Sequence, residues 1–123
     1  MATANPAIRI GVEVDDLTRS GARPPADVEV AAFRVMQEAV ANAARHSGAG
    51  TILIAGSVAP EAIDLYVRDD GTGFERDRVA DARRSGHFGL DSMRERAAAV
   101  GAFTTVAPAH SGVEVRFRWE HKP

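Results

Sequence analysis

Cysteine is absent from this chain of 123 residues. That excludes a disulfide framework and a thiolate metal site, and it fits a reducing compartment. Long apolar runs are absent too. Nothing approaches the ~20 residues that span a bilayer, and residues 1–6 lack the basic-then-apolar pattern of a signal peptide. A dominant charge is also missing. Fifteen Lys and Arg stand against 17 Asp and Glu, a net charge of −2, so nothing argues for a nucleic-acid partner or direct membrane contact. The expected setting is cytoplasmic, either on its own or as the cytoplasmic part of something membrane-bound. Arg83-Arg84 and Arg94/Arg96 read as local solvated charge clusters. The length suits one domain, 1–123, with an ordered core over about 8–119.

What is present is a regular alternation of strands and helices. Ile8, Ile10, Val12 and Val14 alternate with polar residues or glycine, the pattern of a half-buried strand. Asp27 is placed to cap a long helix ending near His46. Residues 51–58 and 62–68 read as strands joined by the short Ala59-Pro60-Glu61 link, an antiparallel hairpin. Residues 71–86 are polar, with a short helix expected around 77–84. Leu90, Met93, Ala97 and Val100 fall at helical spacing, and Gly101 closes that helix. Residues 102–107 and 113–119 complete the strands. Hairpins outnumber crossovers, so the expected class is α+β. The architecture is a two-layer α/β sandwich, with a mixed, mainly antiparallel sheet and its helices on one face.

Helical phase, ~100° per residue, places Phe33, Met36, Val40 and Ala43 on one arc, expected to face the sheet. Glu38, Asn42, Arg45 and His46 fall on another. Glu38 and Asn42 are i, i+4 neighbours, as are Asn42 and His46. A solvated polar face and a functional one are both open readings of this arc. Asn42 is the unusual member, because asparagine competes for backbone hydrogen bonds at mid-helix. Amide and carboxylate oxygens suit a hard cation such as Mg²⁺. His46 by itself reads as a helix-end histidine, where positive charge is favoured.

The strand over 62–68 runs into Asp69-Asp70-Gly71-Thr72-Gly73. Alone this is a polar turn. A buried carboxylate at this point would also accept a hydrogen bond from an exocyclic amine, with the glycines packing on a flat base. Gly86-His87-Phe88-Gly89-Leu90 precedes the second helix. Its reading is an ordinary loop before a helix, or a phosphate site at a helix start.

Taken in order, Gln37-Glu38-Ala39 through Asn42-Ala43 to Arg45-His46, then Asp69 to Phe74, then Gly86 to Ala97, resemble the N, G1 and G2 boxes of the ATP-binding domain of sensor histidine kinases. The wider group includes gyrase, heat-shock and mismatch-repair ATPases, which share the Bergerat ATP-binding fold. The run from Gly89 to Ala97 followed by Ala99-Val100-Gly101 is similar to the subfamily that pairs with NarL-type response regulators. The resemblance implies ATP and Mg²⁺ as ligands. Asn42 matches the metal ligand. Glu38 matches the acid that helps hold the metal or its water and polarises the attacking group. Arg45 and His46 match residues facing the phosphates. Asp69 matches the acid that bonds the adenine amine, and Gly71 and Gly73 match glycines at the base and at the lid hinge. His87, Phe88, Gly89 and Leu90 fall in the far hinge and its phosphate-facing backbone. A short lid is expected over about 74–88, mobile without nucleotide.

Two departures from the family pattern stand out. A Gly-Thr pair usually opens the last strand, and its Thr helps the adenine acid. Here the sequence is Ser111-Gly112-Val113. The histidine-bearing dimerisation helices are missing, since His46, His87, His110 and His121 lack that context. The resemblance therefore implies a kinase domain that acts on a histidine of a separate or excised domain and does not autophosphorylate alone. The alternatives are a serine kinase of the anti-sigma type and a non-catalytic ATP-binding or docking module.

Overall fold

The computed structural model describes residues 8–19, 21–46, 50–71, 90–109 and 112–122. Within them the chain forms β1 (Arg9–Asp16), α1 (Ala26–His46), β2 (Thr51–Ala59), β3 (Ala62–Asp69), α2 (Leu90–Ala99), β4 (Phe103–Pro108) and β5 (Val113–Glu120). The short helix expected over 77–84 lies outside the described residues.

The strands build one five-stranded sheet in the order β1-β2-β3-β5-β4. β1 pairs parallel with β2, and every other pairing is antiparallel. The expected mixed, mainly antiparallel sheet is therefore the one found. Alternation sets its two faces. Ile63, Leu65 and Val67 of β3 and Val113, Val115, Phe117 and Trp119 of β5 are buried under the helices. Their neighbours Asp64, Tyr66, Arg68, Arg116 and Arg118 share the opposite face, which neither described helix covers. There the guanidiniums of Arg68 and Arg116 lie 4.8 and 4.9 Å from the Tyr66 ring centroid, within cation–π range.

The helices form the second layer. α1 packs over β3 and β5, and α2 lies beside it over β4. In α2, Met93 and Ala97 are each 1% exposed, as their spacing predicts. The helix ends in a Schellman motif. The N–H of Ala102 bonds the carbonyl of Ala97, and that of Gly101 the carbonyl of Ala98. Gly101 has φ 73°, a conformation glycine adopts without steric penalty.

Three expectations are corrected. Asp27 does not cap α1. The helix starts at Ala26, and the carbonyl of Pro25 accepts the N–H groups of Val28 and Glu29. Asp27 sits inside the first turn, where its charge favours the helix dipole. Secondly, the buried stripe of α1 is Val28, Ala31, Ala32, Val35, Met36, Ala39, Asn42 and Ala43, while Phe33 is 62% exposed. The true core face is turned roughly a quarter of a revolution from the expected arc. Alanines, weak in any hydrophobicity count, let α1 approach the sheet closely. Thirdly, β1 is not half-buried. In register Ile10 and Val12 oppose Ile52 and Ile54, so they point to the helical side. They are nevertheless 55% and 65% exposed, because neither described helix reaches that edge of the sheet.

Candidate functional site

Asp69 ends β3 and is 6% exposed. Its Oδ1 accepts the N–H of Gly71 at 2.9 Å, and the main chain of Val113 lies close to the carboxylate. Burial pushes its pKa up, against the main-chain N–H groups of Gly71 and Val113, which pull it down. Gly112 makes this arrangement possible. A Cβ there would overlap the carbonyl and carboxylate oxygens of Asp69, so only glycine lets the start of β5 come this close.

Asp70, the other acid of the pair, does something different. It is exposed, and its Oδ1 accepts the N–H groups of Gly50 and Thr51 at 2.9 and 2.8 Å. Its pKa is lowered, first by the bond from Thr51. It fastens the end of β3 to the start of β2.

Across from Asp69 stands Asn42, 5% exposed. Helical phase had placed it on the polar arc; the quarter-turn rotation of α1 brings it inward. Its Oδ1 accepts Nη2 of Arg45 at 2.7 Å, and Arg45 itself is exposed. Asn42 and Asp69 share a narrow cavity with Ala39, Val67, Val106 and Val115. Its volume is about 20 Å³, room for about one water and far below the ~300–1,000 Å³ of a small-molecule pocket. The described walls therefore do not by themselves enclose a small-molecule pocket.

Glu38 lies outside this cavity. It is half-buried and lines a polar cleft of about 350 Å³ between α1 and α2, together with Arg34, Gln37, Ala41, Ser92 and Arg96. A larger cavity, about 410 Å³, lies on another flank of α1, shares Gln37 with the polar cleft and shares no residue with the cavity at Asp69. Its lining of Phe33, Met36, Val40, Ile54 and Val58 is apolar and offers phosphates no partner.

The structure thus unites Asn42, Arg45, Asp69 and Gly71, with Glu38 one turn away. Sequence reasoning missed Gly112. The signal was the Gly-Val pair itself, read only as a departure. His46 closes α1, Leu90 opens α2, and their side chains fall outside the described residues, as do Gly73, His87, Phe88, Gly89 and the lid. Among the described residues no three His, Asp or Glu side chains gather as a metal cage. A site with one or two protein oxygens fits Mg²⁺, which completes its shell with water and phosphate oxygens. Asn42 and Glu38 are of that kind.

Comparison with known proteins adds independent findings. Residues 27–123 match the family model described as histidine kinase-, DNA gyrase B-, and HSP90-like ATPase. The chain is 34% identical over 108 residues to the sensor histidine kinase NarS of Mycobacterium tuberculosis, covering 88% of this chain and 24% of that protein. It is 37% identical over 79 residues to the sensor histidine kinase LiaS of Bacillus subtilis, covering 64% of this chain and 21% of that one. It therefore spans about a quarter of the length of these relatives. In fold it is similar to the histidine kinase domain of the blue-light activated kinase EL346 from Erythrobacter litoralis. The TM-score is 0.71 at 21% identity, with 94% of this chain and 52% of the other covered.

Proposed function

Because the chain belongs to the histidine kinase-, DNA gyrase B- and HSP90-like ATPase family, we propose that it binds ATP with Mg²⁺ and presents the γ-phosphoryl group to a histidine on a separate dimerisation domain. In this reading it is the catalytic part of a two-component system whose response regulator is of the NarL type. The observation that carries the reading is the buried Asp69. Its carboxylate accepts the main-chain N–H of Gly71 and faces a cavity shared with Asn42. A desolvated acid with fixed acceptors reads an exocyclic amine and rejects a carbonyl in its place, because the mismatch leaves buried polar groups unpaired.

Each residue then has a task. Asp69 accepts from the adenine amine. Val67, Val106 and Val115 make the apolar floor. Asn42 offers Oδ1 to Mg²⁺, and Arg45, already bonded to that oxygen, supplies positive charge to the phosphates. Mg²⁺, when bound, neutralises the charge on the transferring phosphoryl group. Phosphoryl transfer is otherwise a matter of positioning. Glu38, on the cleft side of Asn42, polarises the attacking group.

The test is titration with a fluorescent ADP analogue in Mg²⁺, followed by ATP-dependent transfer to a supplied phosphoacceptor domain. Binding and transfer are expected from the wild type, and neither from Asp69→Asn. Undiminished nucleotide affinity in Asp69→Asn overturns the reading. Binding without transfer favours a non-catalytic module, and phosphoserine on the partner favours the anti-sigma type of kinase.

A further inference from the structure

We infer that the cleft between α1 and α2 seats a carboxylate from an acidic helix of the phosphoacceptor partner, gripped by Arg34 and Arg96 beside Glu38. The inference rests on the phosphotransfer reading for its choice of partner. Two i, i+4 pairs face each other across this cleft, Arg34/Glu38 on α1 and Ser92/Arg96 on α2. Among the described residues Arg34, Glu38 and Arg96 make no ion pair. Arg34 and Glu38 leave each other unpaired although their spacing is the one at which helix charges meet. On the open face of the sheet, by contrast, Arg68, Arg116 and Arg118 each pair with an acid. The cleft, about 350 Å³ in volume, presents two guanidiniums to one carboxylate, a surplus of positive charge with all its donors free for a ligand.

Distance along α1 separates this ligand from the nucleotide. Arg34 stands two turns from Asn42, ~12 Å along the axis, with Glu38 midway at ~6 Å from each. Phosphates held at Asn42 and Arg45 lie on one side of Glu38, and Arg34 lies on the other. An anion at Arg34 and Arg96 therefore belongs to the molecule that meets Glu38 from outside. If the acceptor histidine faces Glu38, a partner helix running along α1 places the gripped acid ~6 Å from it, one helical turn away. Guanidinium–carboxylate bonds are directional and fix register as well as affinity. The cleft would thus align the histidine with the phosphoryl group.

The experiment uses this chain and a phosphoacceptor domain of a sensor histidine kinase, with binding measured calorimetrically in the absence of nucleotide. Arg34→Gln/Arg96→Gln is expected to weaken acceptor binding tenfold or more, and to raise the KM for acceptor, with affinity for an ADP analogue unchanged within twofold. Wild-type binding should fall as salt rises. Neutralising the partner acid one turn from its histidine should cause the same loss, and no further loss in the double arginine variant. Unchanged acceptor binding in the arginine variant overturns the inference, as does an equal loss of nucleotide affinity, which would assign the arginines to the phosphates. A wild type that binds the acceptor but transfers no phosphoryl group leaves the docking site standing and removes the kinase reading. A wild type that does not bind the acceptor removes the docking site.

Discussion

Asp69 and Asp70 adjoin in the chain but meet different surroundings, and their titrations run in opposite directions. Asp69 has its pKa raised above 3.8 by burial, so the native state holds that proton more tightly than the unfolded chain. Its effect on stability therefore turns unfavourable as pH rises from the unfolded value through the raised native one. Asp69→Asn should melt at the wild-type temperature or higher at pH 7 while losing nucleotide. The melting difference should shrink as the pH is lowered through that window, as calorimetry at several pH values will show. Gly112 is the complementary residue. Gly112→Ala forces a Cβ into the oxygens of Asp69 and should cost ~2 kcal/mol or more in urea unfolding, with loss of nucleotide binding. Of these details, the sequence made Asp69 legible, because an acid after an alternating strand and before glycine is a local pattern. It hid Gly112, whose need is set by a strand contact across the sheet.

At the scale of the element, Asp70 shows how a side chain secures a strand pair. Its Oδ1 holds the N–H groups of Gly50 and Thr51 where β2 begins. Its lowered pKa means stability that is present above the unfolded value and lost as pH falls through the native one. Asp70→Ala should speed amide exchange at Gly50 and Thr51 at neutral pH, with the difference from wild type vanishing in acid. α1 offers a sharper test of its own rotation. Val35 is fully buried and Phe33 is 62% exposed. Val35→Ala should therefore cost about 2 kcal/mol, while Phe33→Ser should change stability by under ~0.5 kcal/mol. Had the arc read from phase been the core face, the order of the two would be reversed. Periodicity located this helix correctly and misjudged its orientation. It weighed one large phenylalanine above four alanines, although close approach to a sheet favours the small residues.

The molecule as a whole is a sheet only partly covered by its described helices. α1 and α2 lie over β3, β5 and β4, and the helical side of β1 stays open with Ile10 and Val12 exposed. The alternation of β1 correctly assigned which side its apolar residues face. Whether anything lies over them depends on where the helices pack. The same separation applies to the site. Asn42 and Asp69, 27 positions apart in the chain, line one cavity because α1 lies across the end of β3. Glu38 opens onto a different cleft a turn away. By itself the sequence determined the elements, the class of sheet and the residue types that can hold a nucleotide, since periodicity, glycine and charge act over a few neighbouring residues. The tertiary structure alone decided which face of α1 is buried, which of two adjacent acids points inward and which glycine must stay glycine. Those outcomes depend on contacts between segments distant in sequence, and such contacts leave no local period to read.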